Sequence, residues 1–252
     1  AIQFLTILPL RIKGDIDARA LGRSMLYFPL VGFIIGCILA TVAFGTSLIL
    51  PQPVVSAIVI IVLILLTGGL HLDGFADTCD AFYTGRDRER ILEIMRDSHV
   101  GAMGVIGLIS LLMLKFALLS TIKYEFMLLT LIIMPAISRW AMVLAAYKST
   151  YPREEGSGKA FVENVGKLEW ITTTIFTALI SIILLRLMGI IVCLLAIPIS
   201  FALIKYIKGK IGGMTGDTIG AINEVIEVTV LFLMAVLSSP TVLELFNKWQ
   251  AF

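Results

Sequence analysis

The segment LHLDGFADTCDAF, residues 70–82, sets Asp73, Asp77 and Asp80 directly behind a long apolar run. The spacing i, i+4, i+7 puts all three carboxylates on one face if the segment is helical. Two carboxylates about 6 Å apart repel by roughly 3 kcal/mol at an effective dielectric near 20. Beside an apolar boundary such a cluster must protonate, find cations or hold a metal ion. Oxygen donors without a His or Cys pair suit Mg²⁺, Mn²⁺ or Ca²⁺ better than zinc. The plain alternative is a solvated helix start whose acids pair with Arg86 and Arg88. Gly74 and Ala76 beside the acids predict room for a bulky ligand, and His71 is an acid–base candidate.

A second acidic stripe lies in IGGMTGDTIGAINEVIEV, residues 211–228, where Asp217, Gly220, Glu224 and Glu227 recur at i, i+3, i+7 and i+10. Two such stripes at one membrane face could share metal ions; pairing with Lys205, Lys208 and Lys210 is the simpler alternative. In RDRERILEIMRDSHVGAMG, residues 86–104, Arg88–Met95 predicts a short interfacial helix. Arg96, Asp97, Ser98 and His99 follow it, just before Gly101 and Gly104, and the amides of a glycine-rich helix start suit phosphate. Arg139 falls about eight residues inside an apolar run, hence on the order of 12 Å deep, where a charge faces a cavity or a counter-ion. The loop YPREEGSGKAF, residues 151–161, fails the phosphate-loop pattern at Arg153 and Ala160. It reads instead as a lid offering Arg153 and Lys159 to anions.

The elements that must carry these residues are membrane helices. The chain has 252 residues, 58% hydrophobic and only 15% charged, with mean hydropathy +0.99. A soluble domain averages about 45–50% apolar and 25% charged. Apolar runs at 25–50, 51–70, 102–120, 126–147, 170–185, 187–204 and 218–239 are each near the roughly 20 residues that cross a bilayer. The expected fold is all-α, a polytopic bundle of about seven transmembrane helices forming a single domain over 1–252. Between the fifth and sixth runs only Arg186, Leu187 and Met188 can make the turn, and residues 1–10 predict an interfacial segment stopped by Pro9. With the amino terminus inside, one face collects Arg11, Lys13, Arg19 and Arg23, then Arg86, Arg88, Arg90 and Arg96. Lys148, Arg153, Lys159 and Lys167 join them, as do Lys205, Lys208 and Lys210, and the other face keeps only Lys123, Arg186 and Lys248. That asymmetry predicts a cytoplasmic amino terminus and a cytoplasm-facing site. The loops 71–101, 148–169 and 205–217 all land on that side. Cys37, Cys79 and Cys193 form no C-x-x-C pair, so neither zinc nor disulfides are expected, nor is a signal peptide or a nucleic-acid surface.

LTGGLHLDGFADTCDAF, RERILEIMRDSHVGAMGV, YPREEGSG and GGMTGDTIGAINEVIE, with FLTILP and FPLVG before them, together resemble the cobalamin synthase family, nearly end to end. The chain departs from the family's habit at Ala81 and His99. The resemblance implies a Mg²⁺-dependent enzyme of the cell membrane, with its site on the cytoplasmic side. It would join adenosylcobinamide-GDP to α-ribazole or its 5′-phosphate and release GMP. Attack of the ribazole 3′-hydroxyl on the cobinamide-side phosphorus requires positioning and charge neutralisation above all. On that footing Asp73, Asp77 and Asp217 are the expected Mg²⁺ ligands, with Asp80, Asp97 and Glu224 as further ligands or support. Arg96, Arg139, Arg153 and Lys159 are expected on phosphates, and His71, Asp80 or Asp97 as proton acceptor. Expected partners are the two substrates, membrane lipid, and either further copies of the chain or other corrinoid enzymes.

Two other classes compete. CDP-alcohol phosphotransferases also use a D-G-x-x-A stretch, but this chain has Asp77 where they carry Arg, and it lacks their downstream G-x3-D-x3-D. A divalent-cation transporter would line its path with acids at the midplane, whereas here the acids crowd one face.

Overall fold

The computed structural model describes residues 1–9, 17–84, 87–97 and 99–244. Arg11, Lys13, Arg86 and Lys248 of the charge pattern, and Ser98 of the glycine-flanked turn, lie outside the described residues. Among the described residues every element is helical. A short α1 (Ile2–Leu5) and α2 (Ala18–Ser24) lead through a 3-10 turn, Met25–Tyr27, into α3 (Phe28–Ser47) and α4 (Gln52–Thr67). Next come α5 (Leu70–Thr84), α6 (Arg88–Ile94), α7 (Ala102–Thr121) and α8 (Tyr124–Tyr147). The remainder is α9 (Lys159–Asn164), α10 (Lys167–Leu185), α11 (Leu187–Ile211) and α12 (Gly216–Leu237).

Six helices are long and apolar enough to cross a membrane, and α4 with α5 makes a seventh candidate bent by 92°. The bend is built from Gly68 and Gly69, both at positive φ (62° and 69°), where a side chain would strain the backbone. Gly68 closes α4 as a left-handed cap, its amide bonding back to the Leu65 carbonyl. The outer faces of α7, α10 and α11 carry exposed Ile109, Met113, Ile175, Ile183 and Leu194, apolar surface that lipid rather than water would cover.

The centre of the bundle is α8, with 83% of its most apolar 18-residue window buried. It lies against α3 because Gly32 and Gly36 present bare backbone to it. A Cβ on Gly36 would stand 2.6 Å from the Leu131 carbonyl oxygen, and one on Gly32 2.6 Å from the Pro135 carbonyl carbon. This is the small-residue spacing through which membrane helices approach most closely. Pro135 removes the amide that would have bonded to Leu131, so the tight seam forms where α8 is already missing a helical bond.

Two expectations about element limits change. Most of the stretch 205–217 is helix, with only residues 212–215 left as the connection: α11 runs on to Ile211, about 37 Å in length, so its last turns carry Lys205, Lys208 and Lys210 beyond a hydrocarbon core of about 30 Å. The region 71–101 is also mostly ordered helix, α5 and α6. The other segments meet at one end of the molecule. Lys208 Nζ donates to the Lys148 carbonyl (2.9 Å) and Arg88 Nη2 to the Pro152 carbonyl (3.1 Å).

The turn after α10 is made where the sequence demands it, with Arg186 at φ 52° and ψ −126°, a region that glycine occupies freely and arginine does not. Arg186→Gly should therefore raise the thermal midpoint of the detergent-solubilised protein, by about 1 kcal/mol in stability, whereas Arg186→Val should lower it. Thermal melting of the two variants beside the parent checks both signs.

Candidate active site

The three acids of α5 share a helix but not an environment. Asp73 is exposed, Asp77 half-buried and Asp80 buried. Asp80 turns to the start of α7 and accepts from the amides of Gly101 (2.7 Å) and Gly104 (2.8 Å). Both glycines lack the Cβ that would collide with that carboxylate. A carboxylate at a helix amino terminus meets unsatisfied amides and the favourable end of the helix dipole. The glycine-rich helix start that suits phosphate is thus filled from within, by the protein's own anion.

Asp73 and Asp77 have no hydrogen-bond or ion-pair partner among the described residues, and they repel each other and Asp217. Asp217 stands in the first turn of α12, a helix begun by reciprocal capping between Thr215 and Thr218. The room at Gly74 serves this helix rather than a ligand: a Cβ there would lie 2.8 Å from the Asp217 Cα and carbonyl oxygen. Gly220 repeats the device one turn on, where a Cβ would meet the His71 backbone at 3.3 Å. Bare backbone at two positions lets α5 and α12 bring their acids together. Arg153 arrives from the loop after α8, its Nη1 3.8 Å from Asp217 Oδ2 and its Nη2 donating to the Leu92 carbonyl (3.2 Å).

Of these groups, Asp73 and Asp217 line a cavity of about 170 Å³. Its lining includes the polar residues His71, Asp73, Ser157 and Asp217 and the apolar residues Phe4, Met25, Phe28, Met142, Phe161 and Ile219. The rings of Phe4, Phe28 and Phe161 form one cluster, with centroids 4.6, 5.8 and 6.2 Å apart. His71 is buried, and neither ring nitrogen has a hydrogen-bond partner among the described residues. Gly158 seals the loop onto α12, since a Cβ there would lie 2.7 Å from the Gly216 amide nitrogen.

Arg139 and Glu224 belong to a different constellation, wholly inside the bundle. Arg139 is fully buried and pairs through Nη1 with Glu227 Oε1, beside Ser138 Oγ at 3.0 Å. Lys115 Nζ donates to Glu224 Oε2 and to Glu227 Oε2, both at 2.6 Å. Asn223 Nδ2 adds bonds to Glu224 and Glu227, both at 3.2 Å. Two cations thus face two anions. The expected phosphate contact at Arg139 and metal contact at Glu224 are engaged by partners of opposite charge. Lys115, absent from the sequence-derived candidates, had a readable signal: it is the one charge in the apolar run 102–121.

The remaining candidates are not among the residues that line the cavity. Asp97 is exposed, bonded to the His99 ring (2.6 Å) and amide (3.0 Å), and these bonds hold its carboxyl below the ordinary range. Arg96 is exposed and its charge acts on Tyr151, while Lys159 Nζ donates to the Glu154 carbonyl at 2.5 Å. Arg88 goes to Pro152, not to the acids of α5. Among the described residues no three of the His, Cys, Asp and Glu side chains converge into a ready-made metal cage. The donors without hydrogen bonds or close ion pairs to absorb them are Asp73 and Asp77, with Asp217 opposite at the edge of Arg153's reach. All are hard oxygens, and a Mg²⁺ ion that keeps waters and phosphate oxygens needs only one or two of them.

The family model described as Cobalamin-5-phosphate synthase matches residues 1–235. A protein of Desulforamulus reducens named adenosylcobinamide-GDP ribazoletransferase is 40% identical over 234 residues, 93% of this chain and 94% of that protein. Proteins of the same name from Geotalea daltonii and Acetivibrio thermocellus are 38% and 36% identical over 238 and 233 residues. These alignments cover 93% and 92% of this chain and 94% of each relative. No solved structure matches.

Gly74→Ala should force α5 off α12, because the atoms it meets are backbone and cannot swing aside. A cost of about 1–3 kcal/mol is expected, read as a lower melting midpoint in detergent. Lys115→Met leaves Glu224 and Glu227 without their shared cation, at a cost of about 3–5 kcal/mol. Adding Glu224→Gln restores a neutral pair and should recover part of that loss, which a double-mutant cycle on melting and folded yield measures.

Proposed function

The chain belongs to the cobalamin-5-phosphate synthase family, and we propose that its crevice transfers adenosylcobinamide phosphate from adenosylcobinamide-GDP to ribazole or ribazole 5′-phosphate. The observation that carries this reading is the meeting of partnerless Asp73 and Asp77 with Asp217 and Arg153, at the edge of a cavity with aromatic residues in its lining. Mutually repelling carboxylates beside a guanidinium suit a diphosphate that arrives with a divalent ion, and the apolar lining suits a substrate with a flat aromatic part.

The ribazole 3′-hydroxyl oxygen forms the new bond to the phosphorus nearest cobinamide. The bond from that phosphorus to the bridging oxygen breaks, and GMP leaves with the bridging oxygen. Asp77 and Asp217, with Asp73 beside them, would hold Mg²⁺, which supplies charge neutralisation on the diphosphate. Asp80 and Glu224 stay with their own partners, so the proposed ligands narrow to these three. Arg153, tied to the Leu92 carbonyl, orients a phosphate oxygen as its bond to Asp217 loosens. The hydroxyl proton passes to solvent at the exposed mouth beside Asp73. Arg96 and Lys159, beyond the cavity lining, draw the anionic substrate in, a long-range effect that salt weakens. The end of the bundle carrying the site also carries Lys148, Arg153, Lys159, Lys205, Lys208 and Lys210, which supports a cytoplasmic orientation in the cell membrane.

Purified protein given both substrates should release GMP, lose that activity in a chelator and regain it with Mg²⁺. Asp77→Asn should remove at least 99% of the rate while melting and membrane insertion stay as in the parent. Chromatographic assay of GMP decides the matter, and a parental rate in Asp77→Asn would sink the metal role.

A further inference from the structure

Residues 148–158, between α8 and α9, belong to no helix, so packing has to hold them in place. They are fastened at two points to the start of α12. At the first, the Met214 amide donates to the Thr150 carbonyl (3.0 Å), and a Cβ on Gly213 would crowd that carbonyl and lie 3.1 Å from Pro152 Cδ. At the second, Gly158 presses on the Gly216 amide. Between these points the chain makes an arch, and the Tyr151 ring packs against its returning limb. A Cβ on Gly156 would collide with the Tyr151 hydroxyl and stand 3.0 Å from Cζ, and one on Gly158 would stand 3.4 Å from Cε2. A tyrosine ring offers a large rigid contact with only two torsions to order.

Arg153 rides on this arch. Its side chain is 8% exposed, yet its own tethers are few. Nη2 donates to the Leu92 carbonyl at 3.2 Å, Nη1 lies 3.8 Å from Asp217 Oδ2, and Nε has no hydrogen-bond partner among the described residues. Ordering an arginine side chain costs about 2 kcal/mol of rotamer entropy, about what one hydrogen bond from a charged group returns. The guanidinium therefore keeps its place only while the backbone beneath it is fixed. Burial holds the Tyr151 phenol above the ordinary tyrosine range, and of the charges acting on it Arg153 comes first, before Asp217 and Arg96.

We propose that Tyr151 is a positioning residue for the transfer: its ring holds the arch against α12 so that the Arg153 guanidinium stands opposite Asp217, where the diphosphate arrives. The inference rests on the transferase reading above and deepens it by naming the group that sets the phosphate-binding arginine in place. Tyr151 touches no reacting atom in this scheme. Its contribution passes through one residue, Arg153, and so falls on the substrate that carries the diphosphate. Loss of the ring should be felt in the binding of adenosylcobinamide-GDP, and should not be felt when Arg153 is already gone.

Steady-state kinetics of the purified protein with both substrates test this. Tyr151→Ala should raise KM for adenosylcobinamide-GDP at least tenfold and leave KM for ribazole within twofold. Tyr151→Phe keeps the ring and should show less than a third of that rise. In an Arg153→Ala background, itself raised in KM for adenosylcobinamide-GDP, adding Tyr151→Ala should change neither KM by more than twofold. Gly156→Ala reaches the same contact from the other side, because the new methyl would meet the Tyr151 hydroxyl. It should raise KM for adenosylcobinamide-GDP alone, and adding Tyr151→Phe should partly reverse the rise, which backbone strain at Gly156 would not allow. Parental KM in Tyr151→Ala, equal rises in both KM values, or effects that multiply with those of Arg153→Ala overturn the inference. Should Tyr151→Ala fail to fold, the Gly156→Ala pair decides, and a rise that Tyr151→Phe leaves untouched overturns it. Parental KM in Arg153→Ala overturns it as well, since nothing would then need positioning. Absence of GMP release by the parent would instead count against the transferase reading itself.

Discussion

Four charges inside the bundle have to cancel, and the positions of the other functional groups follow from how they do it. Lys115 and Arg139 are balanced by Glu224 and Glu227 at the junction of α7, α8 and α12, with almost no exposed surface on any of the four. Ions out of water are tolerable only when paired and hydrogen-bonded. Sliding one of these helices past another by a turn would strand a charge, so their mutual register is set. On this frame α5 is fastened at two places. Bare glycine backbone presses it to α12, and Asp80 ties it to the first turn of α7. The acids that remain unpartnered are the ones this fastening leaves at the surface.

That division of labour explains why acids that look equivalent along the chain are not. Asp73, Asp77 and Asp80 have one spacing and one helix, yet Asp80 satisfies amides while Asp73 and Asp77 satisfy nothing. The same holds in α12, where Asp217 lies at the opening and Glu227 is sealed inside. Depth along the helix, rather than the kind of side chain, decides which carboxylates hold the protein together and which are free for a ligand.

Much of the fold was legible in the sequence because its signals are local. Long apolar runs, the short amphipathic stretch at Arg88–Met95 and the turn forced onto Arg186 each depend on a few consecutive residues, and each appears where composition placed it. The limits of α11 were less readable, since lysines near a membrane surface continue a helix as readily as they end it. Which residues meet at the candidate site was more legible than how they pair. His71, Asp73, Asp77, Arg153 and Asp217 could be chosen from motifs. That Gly74 makes way for a helix, that Gly101 and Gly104 receive Asp80, and that Glu224 is held by Lys115 depend on partners some 20 to over 100 residues away. Periodicity carries no mark of such partners. The aromatic cluster was hidden for the same reason, because Phe4, Phe28 and Phe161 are ordinary apolar residues until three elements bring their rings together.

The ionic junction also has a consequence for how the chain is made. Lys115 and Arg139 precede their acidic partners by 88 to 112 residues. At a synthesis rate of about 5–20 residues per second, the two cations emerge from the ribosome some 5–20 s before α12 can answer them. Until then α7 and α8 each carry a lone charge that the bilayer disfavours. The insertion machinery or neighbouring water must shelter them over that interval. α12 is therefore the helix that commits the earlier ones to the membrane, and a nascent chain cut short before Glu224 would be a natural target for quality control.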